Sequence, residues 1–288
     1  MLNQLVGSIV ILGGVGFVFA IIIALAYWKL RVYEDPRIDT VASMLPGANC
    51  GACGYPGCRG FAEQLVAGTE KPAGCNVVND DGAALIADYL GVDKGEANKK
   101  VARLLCAGGT NVAVQQAEYR GLRTCGAAAA VAGGGKSCAW GCLGYGDCSV
   151  SCTFGAITMD DYGLPVVDPV LCTACGDCVD ACPKNLFEII PLDQKLLVQC
   201  RSQREGDEVL ESCTVGCTAC GKCVLDAAPG LITLERGVAV VHYEQNALAD
   251  PSATRRCPSG AIVWVDGQQF TSRRAPAEAS ALLGSARA

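Results

Sequence analysis

A chain of 288 residues is long enough for about two ordinary domains, but its 20 cysteines, 35 glycines and 6% aromatics are not the makings of an ordinary core. With so few large side chains, bound metal or disulfides must supply part of the stability. The single histidine, His242, excludes a Rieske centre, which needs two, and nothing in the pattern supports haem ligation.

In chain order, the first element predicted is a membrane anchor. The first 28 residues carry no charged side chain, and the apolar run from Leu5 to Trp28 is almost unbroken. As a helix such a run reaches about 36 Å, enough to cross a hydrocarbon core of roughly 30 Å with some tilt. Ala24-Leu25-Ala26 imitates a signal-peptidase site, but there is no basic n-region and the run is longer than an h-region. Tyr27 and Trp28 fall where an interfacial aromatic belt would, and Lys29 and Arg31 follow. The positive-inside rule then places the remainder in the cytoplasm, on a single-pass anchor in the inner membrane. In a reducing cytosol, closely spaced cysteines point to metal or redox centres rather than disulfides.

After the connector YEDPRID comes a first cysteine group, Cys50, Cys53, Cys58 and Cys75, at C-x2-C-x4-C-x16-C. A short helix is predicted over 60–67, with Gly68 as its stop. Residues 77–105 read mainly as helix, although KKVARLL is ambiguous between helix and strand. The stretch CGAAAAVAGGGKSC predicts a flexible boundary near 126–136. Its Gly133-Gly134-Gly135-Lys136 resembles part of a phosphate loop, but no complete G-x-x-x-x-G-K-[ST] is present. No G-x-G-x-x-G follows a strand either, so no nicotinamide site is expected on this chain.

From Cys138 onward, cysteine-rich loops alternate with short strands. GAITMDD and LPVVD flank Asp161-Tyr162-Gly163 as a predicted hairpin, and SCAWGCLGYGDC (137–148) aligns without a gap with SCTVGCTACGKC (212–223). Two copies of one supersecondary unit are therefore expected, followed by a disordered tail over 267–288.

The strongest chemical signal is Cys172, Cys175, Cys178 and Cys182 at C-x2-C-x2-C-x3-C, with Pro183 after the last. In this [4Fe–4S] run, three thiolates on one tight loop meet three corners of a cubane, and the fourth cysteine ligates the partner cluster. One cluster is accordingly expected on Cys152, Cys172, Cys175 and Cys178. A second is expected on Cys142, Cys148 and Cys182, with Cys138 as fourth ligand because Tyr145 stands where a cysteine belongs. Zinc is the rival for Cys50, Cys53, Cys58 and Cys75.

The run CTVGCTACGKCVLDAAP sets Cys217, Cys220 and Cys223 at the same spacing but has Ala227 at the fourth position. Crossed ligation asks for a Cys-Pro downstream, and Cys257-Pro258 supplies one. The missing triplet before Cys257 and the missing cysteine at 227 belong to one lost cluster. Cys106, Cys125, Cys200 and Cys213 are left, numerically enough for a fifth cluster, while the alternative is buried thiols. Cys213 is equivalent to Cys138 in the repeat and could also belong near the 217–223 loop. Arg201, Arg204, Arg255 and Arg256 are either a docking face for an acidic carrier or a solvated face.

Taken in order, a single anchor, NCGACGYPGC…C, GCLGYGDC, GLPVVD and CTACGDCVDACPK resemble the B-type iron–sulfur subunit of the Rnf complex, the membrane-bound ferredoxin:NAD⁺ oxidoreductase. The resemblance spans about residues 1–266 and implies an α+β fold. Its expected parts are an anchor (1–28), a small helical 4Fe–4S domain (29–90), a connecting segment (91–136), a two-cluster ferredoxin-like domain (137–199) and a second βαβ-type module with one retained cluster (200–266). It also implies a relay of at least four [4Fe–4S] clusters. That relay would take electrons from soluble ferredoxin to membrane subunits, and flavin-bearing partners would reduce NAD⁺ with coupled Na⁺ or H⁺ movement. No substrate chemistry and no nucleic-acid partner are expected on this chain. The alternatives are an anchored donor to another reductase and a cluster-storage or metal-buffering protein.

Overall fold

The structure, a computed structural model, describes residues 2–30 and 34–270. Arg31 and residues 271–288 lie outside the described residues, but Gln269, within the tail expected to be disordered from 267, is buried and its amide bonds both backbone groups of Leu104. Helix α1 (Leu2–Leu30) is 29 residues long. Its segment from Ile11 to Leu30 is not buried against the rest of the chain, and by length and composition it is long and apolar enough to cross a membrane.

Three short helices follow: α2 (Arg37–Met44), α3 (Gly57–Ala67) and α4 (Asp80–Leu90). Their shared core is Val41, Leu45, Phe61, Ala62, Leu65 and Ile86. Helix α3 starts three residues before its expected position, because Asn49 reaches back to accept the Cys58 N–H at 2.9 Å. It stops at Gly68, whose φ of 75° suits a residue without Cβ. Asn79 caps α4 through the Gly82 N–H.

The ambiguous KKVARLL is a strand. β1 (Lys100–Leu104) pairs antiparallel with residues 187–191, from Lys100↔Pro191 to Leu104↔Phe187. A pairing this distant in sequence cannot be read from local propensity. Between β1 and its partner lie α5 (Cys125–Ala130), α6 (Asp147–Ser151), the hairpin β2 (Ile157–Met159) and β3 (Pro165–Val167), and α7 (Asp177–Asp180). The partner strand is β4 (Phe187–Pro191). Asp160 fixes the hairpin turn by accepting the N–H groups of Tyr162 and Leu164.

The same plan recurs. β5 (Leu196–Val198) precedes α8 (Glu208–Ser212), α9 (Lys222–Asp226), the hairpin β6 (Ile232–Glu235) and β7 (Val238–Val241), α10 (Ser252–Arg255) and β8 (Ile262–Trp264). β5 pairs with β8 as β1 pairs with β4, and β6–β7 repeats β2–β3. The fold is therefore α+β, with two ferredoxin-like units, and Leu105, Ile190, Leu197 and Val265 pack between them.

Segment 91–136, expected to connect, is woven into both units. It contributes β1 to the first and an isolated bridge, Ala113↔Cys213, to the second. The glycines read as flexible form a tight turn with φ of 78°, 91° and 83° at Gly133, Gly134 and Gly135. Lys136 follows, bridged to Gln115 and buried.

Candidate metal centres

Four cavities are each walled by four cysteines. Site I holds Cys50, Cys53, Cys58 and Cys75, on the loop before α3, the first turn of α3 and the turn before α4. Site II holds Cys152, Cys172, Cys175 and Cys178. Site V holds Cys217, Cys220, Cys223 and Cys257, so the structure brings the triplet and the downstream Cys-Pro to one cavity. In the CTACG loops of sites II and V, Ala174 and Ala219 take φ of 62° and 52°. Non-glycine residues adopt that region only where the surroundings over-determine it.

The remaining grouping differs from the expectation. Cys138 does not join Cys142, Cys148 and Cys182. It walls site IV together with Cys106, Cys200 and Cys213. Cys125, expected with the leftover thiols, lies instead beside Cys148, as does Cys182, while Cys142 adjoins both Cys148 and Cys106. This set of Cys125, Cys142, Cys148 and Cys182 is site III. The swap has a local cause. Tyr145, at the position where a cysteine was missing, packs edge-on against Tyr119 at 5.8 Å. Helix α5 brings Cys125 in from the other side, with Asp147 accepting the N–H groups of Cys125 and Gly126 at 2.8 and 3.0 Å.

Site IV is assembled by the repeat. Cys106 and Cys200 each lie two residues beyond the first strand of their unit, and Cys138 and Cys213 are equivalent in the gapless alignment. Their N–H partners match as well. Gly108 and Cys142 donate to Cys106, as Ser202 and Cys217 do to Cys200. Trp140 and Val215 donate to Cys138 and Cys213 in the same way. Two cysteines from each unit thus face one another across an approximate two-fold axis. The signal that could have found this set was the alignment itself, extended upstream to the strand ends.

Burial raises the thiols of Cys148, Cys178 and Cys200 to about 12, and that of Cys223 to about 11. Crowding by neighbouring cysteines adds to this at Cys148, Cys178 and Cys223. Burial and the adjacent Cys106 push Cys142 up too. Such thiols ionise only against a strong positive charge, as bound iron would provide. Four thiols, apolar walls and N–H groups aimed at sulfur suit a cubane.

Adjacent sites are joined by short contacts. The Asn76 side chain, in the wall of site I, donates to the carbonyl of Thr173 at 2.9 Å in the wall of site II. Cys178 of site II and Cys148 of site III belong to one buried cluster. The Cys142 N–H of site III donates to Cys106 of site IV at 3.4 Å. Cys200 of site IV accepts from the N–H of Cys217 of site V.

Two family models match the chain: "Putative Fe-S cluster" over residues 45–77 and "4Fe-4S dicluster domain" over residues 137–186. Among curated proteins, the B-type subunit of the Na(+)-translocating ferredoxin:NAD(+) oxidoreductase complex of Acetobacterium woodii is 42% identical over 85% of this chain and 74% of its own length. The B-type subunit of an ion-translocating oxidoreductase complex of Methanosarcina acetivorans is 36% identical over 91% of this chain and 99% of its own length. Its counterpart in the proton-translocating ferredoxin:NAD(+) oxidoreductase complex of Clostridium ljungdahlii is 33% identical over 91% and 93%. With identity on this scale along nearly the whole chain, and with cysteine-walled sites in both matched regions, the chain belongs to the family of B-type subunits of ion-translocating Rnf oxidoreductase complexes and is an iron–sulfur electron-transfer subunit.

Proposed function

We propose that the chain carries five [4Fe–4S] clusters, one at each of sites I to V, and relays electrons along them between a soluble reduced ferredoxin and the membrane subunits of its complex. When bound, such clusters supply one-electron transfer. The observation that carries the reading is the unbroken succession of contacts from site V through IV, III and II to site I, next to the anchor. The polypeptide's part is to hold twenty thiols in five sets, exclude water from them and aim backbone N–H groups at sulfur.

Site V is the end proposed to meet ferredoxin, since Cys220 is the exposed cysteine among the described residues. Site I is the end proposed to face the membrane subunits, because its domain follows directly on α1. Flavin-bearing partners would complete reduction of NAD⁺ and couple it to Na⁺ or H⁺ movement, with α1 as a single span and the sites on the cytoplasmic face.

Iron and acid-labile sulfide counts on the full chain, purified anaerobically, test the count. About twenty iron atoms per chain support five cubanes of four irons each, and a number near twelve or below contradicts the reading. Stopped-flow mixing with reduced ferredoxin tests the partner. Bleaching of the iron–sulfur absorbance supports it, and an unchanged spectrum with active ferredoxin overturns it.

A further inference from the structure

The five sites differ in the charge of their walls. Those of sites I and V contain no ionised side chain, and that of site II contains one carboxylate, Asp177. Site III has the Asp147 carboxylate against Cys125. The wall of site IV instead contains two cations, the buried Lys136 and the exposed Arg201, whose guanidinium also faces the Glu188 carboxylate at 4.0 Å. A third, Arg204, is tied to the Ser212 hydroxyl at 2.9 Å, next to Cys213.

Lys136 is the informative one. Only 9% of it is exposed, and its ammonium donates to the carbonyls of Gly108 and Cys142. The lysine ion pairs among the described residues are Lys71–Asp93, Lys94–Asp80 and Lys195–Asp266, so this ammonium has no carboxylate partner there. A buried cation without a counter-charge is costly, and the anionic groups around it are the thiols of sites III and IV. The position is also where the repeat departs from its symmetry, since the residue equivalent to Lys136 is Glu211. The fragment that resembled part of a phosphate loop serves to deliver this side chain. The glycine turn reverses the chain, and Lys136 runs inward between two sets of sulfurs.

We infer that Lys136, assisted by Arg204 and Arg201, makes site IV the most readily reduced position in the series, a resting place for an electron between the ferredoxin-facing site and the rest of the relay. This rests on the reading of the five thiol sets as cluster sites. A cluster that accepts one electron from the reduced carrier gains one unit of negative charge, and no bond is made and no proton is required. A fixed positive charge inside a low-dielectric wall favours the reduced form. Backbone N–H groups on all four sulfurs act in the same direction.

The test is a potentiometric titration of the anaerobic full chain followed by electron paramagnetic resonance, with the site IV signal assigned as the one removed in C213S. In the unaltered chain this signal should have the highest midpoint of the five. Lys136→Gln should lower its reduced-to-oxidised ratio at fixed poise about tenfold, equivalent to about 59 mV for one electron, while K136R stays close to the parent. Arg204→Gln, at a half-buried position that the fold tolerates more easily, should move the same signal in the same direction by less. Unchanged midpoints in both K136Q and R204Q, or a higher midpoint at another site, overturn the inference while five cubanes per chain leave the cluster reading standing. Four cubanes per chain, with C213S removing no signal, overturn both.

Discussion

The hydroxyl of Ser137 lies 3.0 Å from that of Ser212. These serines are equivalent in the internal repeat, so the contact marks the place where the two ferredoxin-like units meet as near-symmetric partners. Each is followed by a cysteine of site IV, Cys138 and Cys213. On the proposed reading, a cluster at a site divided equally between the units would act as a fastening as well as a redox position, because its ligands come together only once both units have folded.

Cysteine variants separate the two possible groupings of Cys138 and Cys125. Cys138→Ser is expected to abolish the site IV signal and leave those of sites II and III, whereas C125S should remove site III and spare site IV. Each variant should lose about four irons per chain. Loss of the site III signal in C138S, read by electron paramagnetic resonance with iron analysis, would restore the grouping expected from local spacing.

Crossed ligation at site V makes an equally direct prediction. Cys257→Ser should eliminate or convert the signal of the cluster nucleated by Cys217, Cys220 and Cys223, which share a cavity with it. The other four signals should persist, since Cys257 takes part in no other site. A site V spectrum identical to that of the parent chain would sink the crossing.

Asn76 ties the small domain to the first ferredoxin-like unit through the Thr173 and Lys100 carbonyls and the Lys100 N–H. Asn76→Ala removes all three bonds, for a loss of about 1–3 kcal/mol in docking, with both cores left intact. The expected result is slower transfer between sites II and I in rapid-freeze experiments, and faster proteolysis within residues 91–99. Rates equal to those of the parent would show that the two parts are held together by other means.

The elevated thiols give the iron-free chain an alkaline weakness. Cys148, Cys178 and Cys200 rise to about 12 from an ordinary value of 9.0, chiefly through burial. Between those limits the folded iron-free chain binds more protons than the unfolded one. Its stability is therefore fully present below pH 9 and falls as pH rises through the folded values. The urea midpoint of the stripped protein should drop between about pH 8 and about pH 10.5. That of the iron-loaded protein, whose thiolates are already ionised on metal, should move less.

How much of this was legible beforehand depended on sequence distance. The triplets 172–178 and 217–223 are local, the proline after Cys257 marks the crossing partner of site V, and Cys152 precedes Ala156-Ile157 as Cys257 precedes Ala261-Ile262, so sites II and V could be grouped from spacing. Site IV draws its pairs from strand ends 94 residues apart and pre-loop positions 75 residues apart, where spacing says nothing. β1 escaped for a related reason, since Val101 and Leu104 are buried by pairing with β4, a partner absent from any local window. Lys136 was hidden by its company: three glycines suggest flexibility until their positive φ angles are seen to form one defined turn.

Small side chains and one ion pair surround the second unit's cysteines, and this bears on site V. Ala227, Ala228, Ala249 and Ala253 pack into the second unit's core together with Cys217, Cys223 and Cys257. Arg256, one residue before Cys257, makes a two-bonded pair with Asp226 at the end of α9, with Nε to Oδ2 at 2.7 Å. The guanidinium holds the Asp226 carboxyl below its usual range, chiefly through hydrogen bonding. The bond is therefore present at neutral pH and lost as pH falls through the carboxyl's folded value. Since α9 carries Cys223 and the pair anchors the residue beside Cys257, it clamps two ligands of one site. Arg256→Ala should leave the iron count unchanged in anaerobic preparations but speed the loss of the site V signal in air several-fold, with sites I to IV unaffected. Equal rates of oxidative loss in the variant and parent would show that the core alanines alone hold Cys257 in place.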